Sequence, residues 1–101
     1  MRKLKMDHNY YVYITASISK VIYIGVTNGL IKRIQQHKEG KIAGFTQRYH
    51  VNRLVYYEHY EYVNDAIHRE KELKSWHRER KIALIESMNP EWKDLYDDLI
   101  K

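Results

Sequence analysis

Apolar residues alternate with a period of two along Tyr10–Thr15 and again along Val21–Val26, which predicts two β-strands. Val12, Ile14, Ile22, Ile24 and Val26 make one face, apolar and fit for a core. Tyr11, Tyr13, Tyr23 and Gly25 make the other, expected to stand off the core and present phenols. Ala16–Lys20 joins the strands as a hairpin turn. Gly25 leaves room for a second backbone or a phosphate to come close, which makes it a candidate nucleic-acid contact. Tyrosine also has high strand propensity and pairs well across strands, so taken alone such a hairpin is first a structural device.

The period then changes. Thr27-Asn28-Gly29 carries helix-start chemistry, and Leu30, Ile34 and His37 recur at helical spacing until Gly40 ends the run. Arg33 precedes His37 by one turn on that helix. Lys41–His50 has no clear period and is expected to be an ordered loop anchored by Phe45. Arg53–Tyr62 predicts a third strand, with Leu54, Tyr56, Glu58 and Tyr60 on one face and Val55, Tyr57 and His59 on the other. Asn64 is expected to cap a second helix, with Asp65 at its first position and an apolar stripe of Ala66, Ile67, Leu73 and Trp76 or His77. Ile82, Ala83, Leu84 and Ile85 make a third helical segment, or a bent continuation of the second, which Asn89-Pro90 breaks. Trp92, Leu95, Tyr96 and Leu99 then predict a short amphipathic helix over 91–100 that docks on the body. All of 1–101 reads as one domain, with no linker or repeat.

Glu70 breaks the pattern. It lies on the apolar stripe of its own helix, where an unpaired buried carboxylate costs several kcal/mol. An arginine, tyrosine hydroxyls or a metal ion would compensate it; so would a structural salt bridge or an edge position reaching water. With no cysteine and no His-x3-His pair, zinc does not suit this chain. A lone carboxylate suits Mg²⁺ or Mn²⁺, which keep several waters and accept phosphate oxygens.

Charge gives the partner. Lysine and arginine number 18 against 13 acidic residues, a formal net charge of +5. Between Gly29 and Arg53, Lys32, Arg33, Lys38, Lys41, Arg48 and Arg53 face only Glu39. That excess points to a polyanion such as nucleic acid, ahead of an anionic membrane. Arg48, Tyr49, Arg69, Lys74 and Trp76 are candidates for a basic groove with stacking aromatics, as single-strand binding requires; Trp76 fits the core better. The absence of cysteine permits a reducing compartment. Met1–His8 lacks the apolar stretch of a signal peptide and no run of 18 apolar residues exists, so a cytoplasmic protein is expected. No feature points to a protein partner.

These residues carry a family likeness. Tyr23-Ile24-Gly25, then Val26 to Arg33 and His37, resembles the second half of the GIY-YIG nuclease signature, and Tyr11-Val12-Tyr13 resembles its first triplet with tyrosine in place of the opening glycine. Asp65 to Glu70 resembles the helix that ends in the family's metal-binding glutamate. Asn89 to Leu95 is similar to the ending of small single-domain bacterial members. The likeness covers about residues 9–88 and implies an α/β (α+β) fold, a three-stranded antiparallel sheet flanked by helices, that cleaves DNA with one divalent ion. It further implies that Tyr13 and Tyr23 position or deprotonate the attacking water, Arg33 stabilises phosphate charge, Glu70 holds Mg²⁺ or Mn²⁺, and His37 assists. A free phenol has a pKa of about 10, so a tyrosine base needs a cation beside it. Many members have a lysine where this chain has Val26, and an asparagine where it has Ile82; Lys81 or Arg78 are the candidate substitutes. The expectation is thus a metal-dependent endonuclease on single-stranded or branched DNA, with a non-catalytic nucleic-acid-binding module as its alternative.

Overall fold

The computed structural model of the chain describes residues 8–42 and 44–101. Met1–Asp7 and Ala43, which fall within the amino-terminal segment and the expected loop above, lie outside the described residues. Strands β1 (Tyr10–Ala16), β2 (Ile22–Thr27) and β3 (Arg53–Tyr60) form one antiparallel sheet in the order β2-β1-β3. Helix α1 (Leu30–Lys38) and a short α2 (Phe45–Arg48) join β2 to β3; α3 (Val63–Ser75), α4 (Arg78–Met88) and a single-turn α5 (Tyr96–Leu99) follow. The α+β fold expected from the sequence is the fold observed. No helix among the described residues is long and apolar enough to cross a membrane.

The hairpin register sets everything else. Tyr13 stands opposite Gly25 and Thr15 opposite Tyr23, so the tyrosines share a face as expected. That face is not exposed. Val12, Ile14, Ile24 and Tyr56 pack with Ala66, Leu73 and Ile85 of α3 and α4 on one side of the sheet. On the other, Tyr13 packs with Leu30 and Ile34 of α1 and with Leu54, joined by Tyr11, Tyr23, Tyr57, Leu95 and Leu99. The phenol face is a second core. A tyrosine ring is apolar enough to be buried if its hydroxyl finds a partner, and α1 supplies one.

Other departures have local causes. The β1–β3 register slips between Ile14 and Thr15, where Leu54 rather than Val55 faces Thr15. This bulge sends Val55 into the first core and Leu54 into the second, breaking the alternation expected for β3. Helix α3 starts at Val63 with Tyr62 as its cap residue, earlier than Asn64; Asp65 still lies in its first turn. Segment 41–50 contains α2, anchored by buried Thr46, while Phe45 stays exposed against Tyr49. Trp92 has φ 57° and lies in a turn, so it joins the first core while α5 covers the second. Gly40, at φ 70°, ends α1 as the sequence implied.

Side chains at the chain's end lock α5 down. Asn89 Nδ2 donates to the carbonyls of Val55 (3.1 Å) and Lys93 (2.7 Å). Asp94 accepts from the backbone N–H of Leu54 and of Tyr96 and pairs with Lys38 of α1.

Candidate active site

The site is built around the hydroxyl of Tyr13, in the middle of the central strand. Its ring is fully buried, lying over Gly25 so closely that a Cβ there would stand 2.6 Å from Cζ and from Oη. Gly25 therefore makes room for this phenol; that finding replaces the expectation of a phosphate or second backbone above it. The Tyr13 hydroxyl and His37 Nε2 share a hydrogen bond of 3.0 Å. Tyr23 closes the cluster, its ring centroid 6.3 Å from that of Tyr13 and 5.7 Å from His37.

Burial dominates the electrostatics. It pushes the Tyr13 phenol up to about 12; the Arg33 guanidinium draws it back in part, while Tyr23 and the Glu70 carboxylate add to the rise. Burial, then the charge of Arg33, holds His37 down at about 4. Both groups are thus neutral at pH 7. His37 Nδ1 is buried without a hydrogen-bond partner among the described residues, as is Thr15 Oγ1. Tyr23, Arg33, His37 and Glu70, chosen from sequence with Tyr13, thus all act on the Tyr13 phenol although they come from β2, α1 and α3.

Glu70 is held by an ion pair within its own helix, Oε2 to Lys74 Nζ at 2.9 Å, and is mostly shielded from water. Of the compensations expected from the sequence, the structural salt bridge is the one present, made to a lysine that stays half exposed. Among the described residues no three His, Cys, Asp or Glu side chains come together as a metal cluster. Such a donor set fits an ion held by one carboxylate, with water and phosphate oxygens completing its shell, as Mg²⁺ and Mn²⁺ allow, and does not fit zinc.

The expected nucleic-acid contacts divide. Lys32 is exposed beside Asn28 and Arg33 along the start of α1. Arg48 lies over the exposed ring of Tyr49, 5.7 Å from its centroid, and Lys41 pairs with Glu39 at 3.1 Å. Arg69 is committed elsewhere. Its Nε and Nη2 donate to both oxygens of Glu58, each at 2.9 Å, and its Nη1 donates to Glu72. Tyr56 and Tyr60 also donate to Glu58, so Arg69 is part of a bridge between β3 and α3. Trp76 is half-buried under Arg80, whose guanidinium is 3.8 Å from the ring centroid. Arg78 donates to the Lys20 carbonyl at 2.7 Å and Lys81 to that of Lys74 at 3.3 Å; each braces the backbone.

Sequence reasoning missed this Glu58 bridge. The signal was there, since a carboxylate between two phenols on one strand face cannot go uncompensated. Burial would raise the Glu58 carboxyl, but Arg69 and the two hydroxyls outweigh it and hold it below its usual range.

A sheet carrying this phenol cluster, with Arg33 on the first helix and Glu70 on the third, defines a class of protein. Residues 9–83 match the sequence model of the GIY-YIG catalytic domain, and the chain belongs to that family of nuclease domains. It is 34% identical over 84 residues to a UPF0213 protein of Bacillus pumilus, covering 83% of this chain and 86% of the relative. A UPF0213 protein of Haloquadratum walsbyi is 33% identical over 81 residues, covering 80% and 91%. The solution NMR structure of a UPF0213 protein from Bacillus halodurans superposes with a TM-score of 0.56 at 29% identity, covering 85% of this chain and 92% of that one.

Proposed function

We propose that this protein is a divalent-metal-dependent endonuclease that hydrolyses phosphodiester bonds in DNA. The observation that carries the reading is the convergence of Arg33, Tyr23, His37 and Glu70 on the Tyr13 phenol. A nuclease family and an excess of basic side chains support it.

Each residue then has a task. Arg33 offers a planar fork to two phosphate oxygens and stabilises the charge that grows on them. Tyr13, whose phenol burial pushes up to about 12, stays protonated at neutral pH in the metal-free protein and in that state orients the attacking water by hydrogen bonding. His37 fixes the direction of that hydroxyl, and Tyr23 keeps bulk water from the far side of the ring. Glu70 holds Mg²⁺ or Mn²⁺, which supplies Lewis-acid stabilisation of the phosphate when bound. Lys32, with Arg48 and Tyr49, guides the nucleic-acid backbone towards Arg33.

The test is incubation with single-stranded, duplex and forked DNA in Mg²⁺, Mn²⁺ or EDTA. Cleavage is expected with either ion and none in EDTA. Arg33→Lys should lower kcat by roughly 10²-fold, as for loss of one transition-state donor. Binding without cleavage of any strand form would leave the nucleic-acid-binding module in its place.

A further inference from the structure

One cavity beside the site has no role in the chemistry above. It has a volume of about 300 Å³ and is lined by Tyr10, Val26, Asn28, Arg33, Val63 and Ile67. Arg33 enters it from α1. Ile67 enters it from α3, one turn before Glu70, and residues three apart are neighbours on a helix surface. The cavity therefore opens between the helix that carries the arginine and the helix that carries the glutamate.

Its chemistry is mixed in a telling way. A phosphate would use Arg33 and have no use for Val26, Val63 and Ile67. Those apolar side chains are nonetheless left accessible; Val63 is 41% exposed. Tyr10 supplies an aromatic ring, and the Asn28 carboxamide makes no hydrogen bond among the described residues. Apolar walls, one ring, one free amide and an arginine at the rim match a flat heterocycle with a polar edge that is tethered to a phosphate. Carboxamides read base edges with paired donors and acceptors. The volume is at the lower end of ligand pockets, roughly 300–1,000 Å³, which limits the guest to about one nucleoside.

We propose that this cavity receives the unpaired nucleobase adjacent to the scissile phosphate. The proposal rests on the nuclease reading and sharpens it. A base within a duplex is stacked and paired, so only single-stranded DNA, or a base extruded from the helix, fills the pocket. Strand-form preference would then arise beside Arg33, with no separate recognition module.

Two measurements on the full chain test it. The first is independent of cleavage: methyl NMR spectra in EDTA, titrated with a thymidine trinucleotide or with the same trinucleotide abasic at its centre. The Val63 and Ile67 methyl resonances should shift with the first and stay in place with the second. The second measurement uses single-stranded DNA with one abasic residue flanking the mapped cut. Wild type should lose about 5- to 150-fold in kcat/KM, the range that base stacking supplies. Val63→Trp, which fills the cavity from a surface position, should lose as much on intact DNA and nothing further on abasic DNA. Still methyl resonances, or equal cutting of intact and abasic strands, would overturn the pocket and leave the nuclease standing. Shifted methyls with no cleavage in any metal would overturn the nuclease and leave the pocket standing. The abasic comparison in wild type decides the matter even if Val63→Trp fails to fold.

Discussion

Tyr13 is at once a core residue and the centre of the site, and its neighbours feel both roles. Gly25→Ala drives a methyl into the Tyr13 ring at 2.6 Å. Overpacking of this kind costs about 1–3 kcal/mol, and the ring that must move carries the hydroxyl. A lower Tm and weaker cleavage are therefore expected together, measured by thermal melts and a strand-cutting assay. Glu70→Ala should separate the two. It removes the proposed metal ligand and an ion pair whose lysine is half exposed, so cleavage should vanish while Tm moves little. Full activity in that variant would take Glu70 out of the mechanism. His37 sets a pH dependence. Its folded pKa of about 4 is below the unfolded value of 6.5, so the unfolded chain binds more protons between those values. Stability is complete above pH 6.5 and falls as the pH drops towards 4. His37→Gln keeps a partner for the phenol and cannot titrate there; urea unfolding across pH 4–7 should show a flatter slope.

Among the elements, the bond between β3 and α3 is the most exposed to a single change. Arg69 meets Glu58 with two parallel hydrogen bonds, and both side chains are largely buried. Arg69→Ala leaves the Glu58 carboxylate unpaired; a loss of up to about 3 kcal/mol is expected, the low end for a buried pair because both retain some water. Denaturant unfolding measures it. This bridge also shows where reading the chain succeeds and where it stops. Alternation identified β1 and β2 because Val12, Ile14 and Ile24 have only one place to go. It assigned Tyr13 to an open face because a phenol suits core and surface alike, and only its partner decides. It put Leu54 with Tyr56 and Val55 with Tyr57, and the structure exchanges them, since the bulge at Val55 leaves no mark on a period of two. Trp92 fell on helical spacing by coincidence, and its positive φ ends the resemblance.

For the whole molecule, the net charge of +5 is less informative than which cations remain free. Arg69, Arg78, Lys74 and Lys81 are engaged within the fold, although their charge alone made them candidates. Lys32 makes no ion pair among the described residues and lies beside Arg33. Lys32→Ala should lower the slope of log affinity for DNA against log salt by about one, and Arg69→Lys should leave it unchanged. Fluorescence titration at several salt concentrations distinguishes them. The cluster around Tyr13 was legible because the order of its residues along the chain is distinctive. The engagement of Arg69 and Arg78 was not, since partners 11 and 58 residues away are a property of the fold.

The bonds of Asp94 carry a consequence in time. They join it to Leu54, 40 residues away, and to Lys38, 56 residues away. Contacts of such separation form late, because long loops must close first. The brace that Asp94 gives helix α1 through Lys38 thus comes only once the segment after α4 lies over β3. During synthesis the growing protein therefore carries Arg33 and His37 well before Asp94 emerges to brace the helix that bears them.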